Sequence, residues 1–166
     1  FPTRRSSDLS ASVRTSILRL DALHPVVSGN KWFKLQYYIK DAIKTKATYV
    51  ASFGGPFSNH LVALAFTAKQ NNLKSIGYVR SNLNEPITPT LQEAVEYGME
   101  LKFIGRTNFQ TQKANLLSKF NKHVNEDTFT NSTDAYFIDE GGYGFLGAKG
   151  AATILDNVNL HAYDYI

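Results

Sequence analysis

What most constrains this chain is its alternation. Short runs rich in β-branched and aromatic residues are followed repeatedly by stretches whose apolar residues recur every three to four positions. Residues 13–20, 48–53, 74–79, 99–104 and 135–138 read as strands, and 163–166 as the opening of another. Residues 31–44, 59–71, 88–97, 110–122 and 145–155 read as helices. Trp32, Leu35, Ile39 and Ile43 fall near one face of the first, and Leu61, Leu64, Ala65 and Ala68 form a stripe on the second. Gly98 is placed to end the third. The polar stretch 123–134 reads as a loop. Strand and helix in regular succession predict an α/β fold: a mostly parallel sheet with flanking helices. Such sheets bind ligands where the C-terminal ends of strands turn into helices.

Composition narrows the function classes. The 166 residues suffice for one ordinary domain with a hydrophobic core, and 43% of them are apolar. The longest dense apolar stretch, 61–68, is far shorter than a membrane span, and the start does not read as a secretory signal. Cysteine is absent, which excludes disulfides and thiolate metal sites and fits a cytoplasmic location. The net charge of +4 is scattered rather than gathered, which suits anionic small molecules; no nucleic-acid partner is expected. His24, His60, His123 and His161 show no metal-ligand spacing. The first nine residues have no periodicity and resemble a translated sequencing adapter. Residues 1–10 are therefore expected to be non-native and to join nothing downstream.

Three strand-to-helix junctions carry chemistry. In Ser28-Gly29-Asn30-Lys31, a glycine beside a lysine lets the backbone bend and sets an amine at a crevice. A lysine attacks a carbonyl only when deprotonated, so its pKa must be depressed or its proton removed. A cation at a helix N-terminus is unfavourable and asks for a reason, and Lys34 lies one turn further on, so both amines can face one anion. The plain alternative is a surface lysine. The second junction, Gly54-Gly55-Pro56-Phe57-Ser58-Asn59-His60, brings an apolar strand into an apolar helix through a glycine pair. Free N–H groups there suit a substrate carboxylate, with Ser58 and Asn59 either capping the helix or reaching outward. His60 is ambiguous, a lone histidine next to a cap being more often structural than catalytic.

The third junction, Asp139 to Gly147, contains a formal G-x-G-x-x-G and raises a rival, a dinucleotide site using Gly142 to Gly147. Asp139 and Glu140 would repel a pyrophosphate there, and Asp164 falls at the start of its strand rather than the far end. A glycine-rich turn permitting close helix packing accounts for the same residues. Ser28-x-x-Lys31 also matches the serine-nucleophile pattern of penicillin-recognising acyl transferases, but their K-T-G element is missing.

The run Arg19 to Leu35, with Ser28-Gly29-Asn30-Lys31-Trp32-Phe33-Lys34 at its heart, resembles the cofactor-lysine segment of the 1-aminocyclopropane-1-carboxylate deaminase / D-cysteine desulfhydrase family. Phe53-Gly54-Gly55-Pro56-Phe57-Ser58-Asn59-His60 is similar to that family's next motif, and Ser58 lies 27 positions beyond Lys31, as the family requires. Gly141 to Gly150 resembles a third block. The resemblance implies the fold type II, tryptophan-synthase-β-like architecture and pyridoxal 5′-phosphate (PLP) as cofactor. It implies that Lys31 binds the cofactor covalently and moves protons at the substrate carbon, that Lys34 lies near the cofactor phosphate, and that Asn59 hydrogen-bonds the ring hydroxyl. Ser58, Asn59 and His60 would receive the carboxylate of a small amino-acid substrate, with a nucleophilic or proton-transfer role for Ser58 left open.

His60 leans towards the desulfhydrases and Trp32-Phe33 towards the deaminases, so the leaving group stays open. The family's phosphate loop follows a strand like 163–166, where this chain stops. The chain is therefore expected to be an N-terminal half, truncated and inactive alone, with poor PLP binding; the complete enzyme is expected to be a homodimer. Residues 34–140 would form the smaller domain, and 11–33 with 141–166 part of an incomplete larger one. A non-catalytic remnant of the same fold is the further alternative.

Overall fold

The strand β3 (Tyr49–Gly54) is paired on both sides, and the rest of the described chain is arranged around it. The structure is a computed structural model describing residues 3–6, 15–82, 85–121, 135–156, 158–159 and 161. The elements before β3 are β1 (Thr3–Ser6), β2 (Thr15–Leu18) and α1 (Lys31–Lys44). Those after it are α2 (Asn59–Gln70), β4 (Lys74–Arg80), α3 (Pro89–Glu96), β5 (Met99–Ile104), α4 (Phe109–Asn121), β6 (Ala135–Ile138) and α5 (Phe145–Ala152). The main sheet has the order β5-β4-β3-β6, and every pairing in it is parallel. The expected α/β class with a parallel sheet and flanking helices is the one observed.

Alternation along β3 splits the interior in two. Val50 packs with α1, α2 and α3. Ala51 and Phe53 point the other way, to a second cluster holding Ile76, Tyr78 and Phe109 at the start of α4. Both faces of the sheet are covered, as parallel sheets require. The helix α2 buries seven residues, from His60 to Ala68, and so is apolar almost all round; it lies between the sheet, α1 and α3.

Element ends follow local chemistry. Thr88 caps α3 by accepting from Leu91 N, with Pro89 in the first turn, so the helix starts one residue later than periodicity suggests. The last predicted helix ends at Ala152 and tightens into a 3-10 turn over Thr153–Leu155. On α1, Leu35 and Ile39 are buried as expected, but Trp32 and Ile43 are each 47% exposed. Phe33, Tyr38 and Ala42 are buried in their place, because α5 packs along that flank. The first residues do not stand apart: β1 pairs antiparallel with β2, Thr3 opposite Leu18. Backbone groups alone make such a ladder, so side-chain periodicity was no guide. The predicted loop 123–134 and strand 163–166, with Asp164, lie outside the described residues. Among the described residues no helix is long and apolar enough to cross a membrane.

The contact between α1 and α5 depends on missing side chains. A Cβ on Gly150 would collide with the carbonyl oxygen of Phe33, and one on Gly147 with that of Gly142. Gly150→Ala is accordingly expected to destabilise the protein by about 3 kcal/mol, since backbone must yield rather than a flexible side chain. Urea unfolding checks this; an unchanged midpoint would show that the helices are not held at that separation.

Candidate active site

The strand order sets the location. From β3 the chain steps outward through β4 to β5, then returns to place β6 on the other side of β3. The C-terminal ends of β3 and β6 thus flank the point where the direction of winding reverses, the usual crevice of an open α/β sheet. The loops leaving those ends are Gly54 to Ser58 and Asp139 to Gly144, and both carry sequence-predicted residues.

Lys31 is the first residue of α1, half-buried, with its Nζ donating to Asn30 Oδ1 at 2.7 Å. Asn30 therefore spends its side chain on the lysine rather than on capping the helix. Burial, and then the neighbouring Lys34 ammonium, hold the Lys31 amine below the usual lysine range. No acidic residue occupies the first turn of α1, so two cations face the positive end of the helix dipole uncompensated. An anion bound there would relieve that repulsion.

His60 lies on the other side of the same space. It is 3% exposed, and its Nε2 is 2.8 Å from Ser52 Oγ, itself fully buried on β3. Its Nδ1 is buried with no hydrogen-bond partner. Burial first, then the Lys31 and Lys34 charges, push its pKa down to about 4, against an opposing pull from Asp139. Lys31, Lys34 and Asp139 are thus each within electrostatic reach of His60. Gly142 closes the gap: at φ +70, a Cβ there would lie 3.4 Å from Lys34 Cβ and 3.9 Å from His60 Cε1. The loop is tied to α1 by Tyr38, whose hydroxyl donates to Tyr143 O at 2.6 Å.

Ser58 caps α2, accepting from Leu61 N at 3.4 Å, a long bond that leaves the hydroxyl weakly committed. Asn59, exposed, is the first residue of that helix and His60 the second, so the N–H groups of both lack intrahelical acceptors. Asp139 accepts from Lys113 Nζ at 2.6 Å and from Glu140 N at 2.7 Å. Burial works to raise its pKa, but these bonds and the Lys113 charge hold it below the usual carboxylate range. Ser52, Lys113 and Asp139 were not singled out as site residues from sequence. A serine inside an otherwise apolar strand was the available signal for the first; Lys113 carried none, since only folding brings α4 beside β6. Within the G-x-G-x-x-G run, a Cβ on Gly147 would collide with the Gly142 carbonyl oxygen and one on Gly144 with the Tyr38 hydroxyl. A groove of about 460 Å³ between α1 and α2, lined by His24, Trp32, Leu35, Phe66 and Gln70, lies apart from these groups.

No family model matches the chain. It is 29% identical over 154 residues to a protein of Thermotoga maritima named "Putative 1-aminocyclopropane-1-carboxylate deaminase", covering 90% of this chain and 47% of that relative. Among solved structures it superposes on an ACC deaminase homologue with a TM-score of 0.60 at 22% identity, over 84% of this chain and 42% of that one. A hydrogen sulfide-producing enzyme from Fusobacterium nucleatum gives a TM-score of 0.63 at 16% identity, over 95% of this chain and 50% of that one. The fold is that of the fold type II, tryptophan-synthase-β-like enzymes. Within it, the resemblance to the 1-aminocyclopropane-1-carboxylate deaminase / D-cysteine desulfhydrase family holds over nearly the whole chain. The chain spans about half the length of the curated relative it matches.

The buried histidine makes stability depend on pH. The unfolded chain binds a proton near the ordinary histidine pKa of 6.5, the folded one only near 4. Stability is therefore full above the former value and falls as pH drops towards the latter, by about 3 kcal/mol. His60→Gln is expected to lack this component. Urea unfolding of both proteins between neutral pH and about pH 4 checks it; identical slopes would show that the imidazole is not held neutral by the fold.

Proposed function

We propose that this chain carries the cofactor lysine, and the substrate-carboxylate helix, of a PLP-dependent deaminase or desulfhydrase acting on a small amino acid such as D-cysteine or 1-aminocyclopropane-1-carboxylate. The observation that carries the reading is Lys31: a half-buried amine with a depressed pKa, at a helix start, beside a second lysine and at the reversal point of a parallel sheet. The groups present fit such a cofactor. A phosphate-bearing aldehyde asks for a reactive amine, a further cation and hydrogen-bond donors, and Lys31, Lys34, the free N–H groups of α2 and the unpartnered His60 Nδ1 answer in kind.

When bound, PLP supplies the electron sink for bond cleavage at the substrate carbon; the protein supplies binding, orientation and charge. Lys31 holds the cofactor and carries a proton to or from the substrate carbon through its Nζ. Its lowered pKa raises the fraction of free amine at neutral pH. Lys34 would offset the phosphate charge, and Asn59 would bond the ring hydroxyl. Ser58, Asn59 and His60 receive the carboxylate at the N-terminus of α2, where the dipole favours an anion. The hydroxyl of Ser58, only weakly engaged in its cap, is free to take part in proton transfer. Residues 34–140 form the smaller domain of the enzyme, with 11–33 and 141–166 belonging to the larger. The same resemblance supports a homodimeric, cytoplasmic protein.

In the complete protein, Lys31→Ala is expected to abolish the visible absorption band that appears on adding PLP. Lys34→Ala is expected to keep that band while weakening PLP binding about tenfold, the scale of one charge-assisted contact. Spectrophotometric titration separates the two; a Lys31→Ala protein that still develops the band would reject the lysine assignment.

A further inference from the structure

Ser52 stands where an apolar residue would serve the fold as well. It lies in the middle of β3, fully buried, on the face that packs against α2, and its hydroxyl has His60 Nε2 at 2.8 Å. Two arrangements of the protons satisfy that distance, and counting hydrogen bonds decides between them. If Nε2 carries the proton and donates to Ser52, the serine O–H is left buried without an acceptor, and the lone pair of His60 Nδ1 without a donor. If Ser52 donates to Nε2, its O–H is used, and the one group left over is an N–H at Nδ1. A buried polar group without a partner is costly, so the arrangement that leaves one rather than two is favoured.

We propose that Ser52 is a positioning residue: by donating to Nε2 it fixes His60 as the Nδ1–H tautomer, so that the ring offers a neutral N–H to the anionic group that Lys31 and Lys34 attract. The placement of the ring supports this. Cε1, which adjoins both nitrogens, borders the position over Gly142 that the Lys34 side chain also borders, while Nε2 is turned to Ser52 on the sheet. A protonated imidazole would add a third positive charge to that space and is opposed by both lysines. A neutral donor avoids this and still completes a bond to a carboxylate or phosphate oxygen. Nothing in the sequence motifs marks Ser52, because it acts through another side chain.

The inference rests on the proposed carboxylate-binding helix, but its test does not. These 166 residues hold four histidines, and with ¹⁵N-labelled histidine the loss of one resonance set in His60→Gln assigns the ring. At neutral pH the nitrogen shifts of wild-type His60 are expected to show a protonated Nδ1 and an unprotonated Nε2. Ser52→Ala is expected to move that ring to the opposite tautomer or to a mixture. A wild-type ring protonated on Nε2 would overturn the proposal without any variant, and so would a Ser52→Ala ring with its Nδ1–H unchanged. If the tautomer is as expected but Lys31→Ala leaves the PLP absorption band intact, the lysine reading fails and the positioning role stands. If the band is lost but the ring is protonated on Nε2, the reverse holds.

Discussion

The pairing of β3 with parallel strands on both sides is the constraint from which the site follows. A chain that simply stepped from strand to neighbouring strand would bring each strand-end loop beside the next, with no gap between them. Here the return to β6 turns that order back across β3. The loop that begins α2 and the loop that begins α5 therefore leave adjacent strands, and both helices pack with α1 on one face of the sheet, so the loops and the start of α1 border one crevice. Every group argued to act on a ligand is on one of those loops, on the helix it begins, or on the start of α1 that packs beside them.

The electrostatics of that crevice are costly without a ligand. Two lysines sit at a helix start with no acid in the first turn, and a histidine is buried with one nitrogen unpaired. The acid that faces them, Asp139, is already committed to Lys113 and to the backbone of Glu140. Such an arrangement lowers stability in exchange for a place where negative charge is welcome, and functional sites are where proteins tolerate perturbed ionisation. The groove between α1 and α2 shows the contrast: no lysine, arginine or carboxylate lines it.

Much of this could be read before folding. The period of apolar residues identified five helices and five of the strands, because core burial imposes periods of 3.6 and 2 on any sequence that makes those elements. The glycine-flanked Lys31 and the Ser58-Asn59 helix start were visible because backbone bends and helix caps are local. The tilt of α1 was not. Trp32 and Ile43 match the helical period, yet the flank carrying Phe33 and Tyr38 is the buried one, since α5 arrives there from more than a hundred residues away. Ser52 showed only as a polar residue in an apolar strand and Lys113 not at all, for the same reason: each matters only through a partner on another element.

The sequence alone determined the kinds of element, their order and the local chemistry of two helix starts, because those depend on residues a few positions apart. The tertiary structure decided which strands became neighbours, where the crevice opened, and that Lys31, Lys34 and Asp139 all act on His60. Those outcomes depend on distances between residues remote in the chain, which side-chain periodicity does not encode.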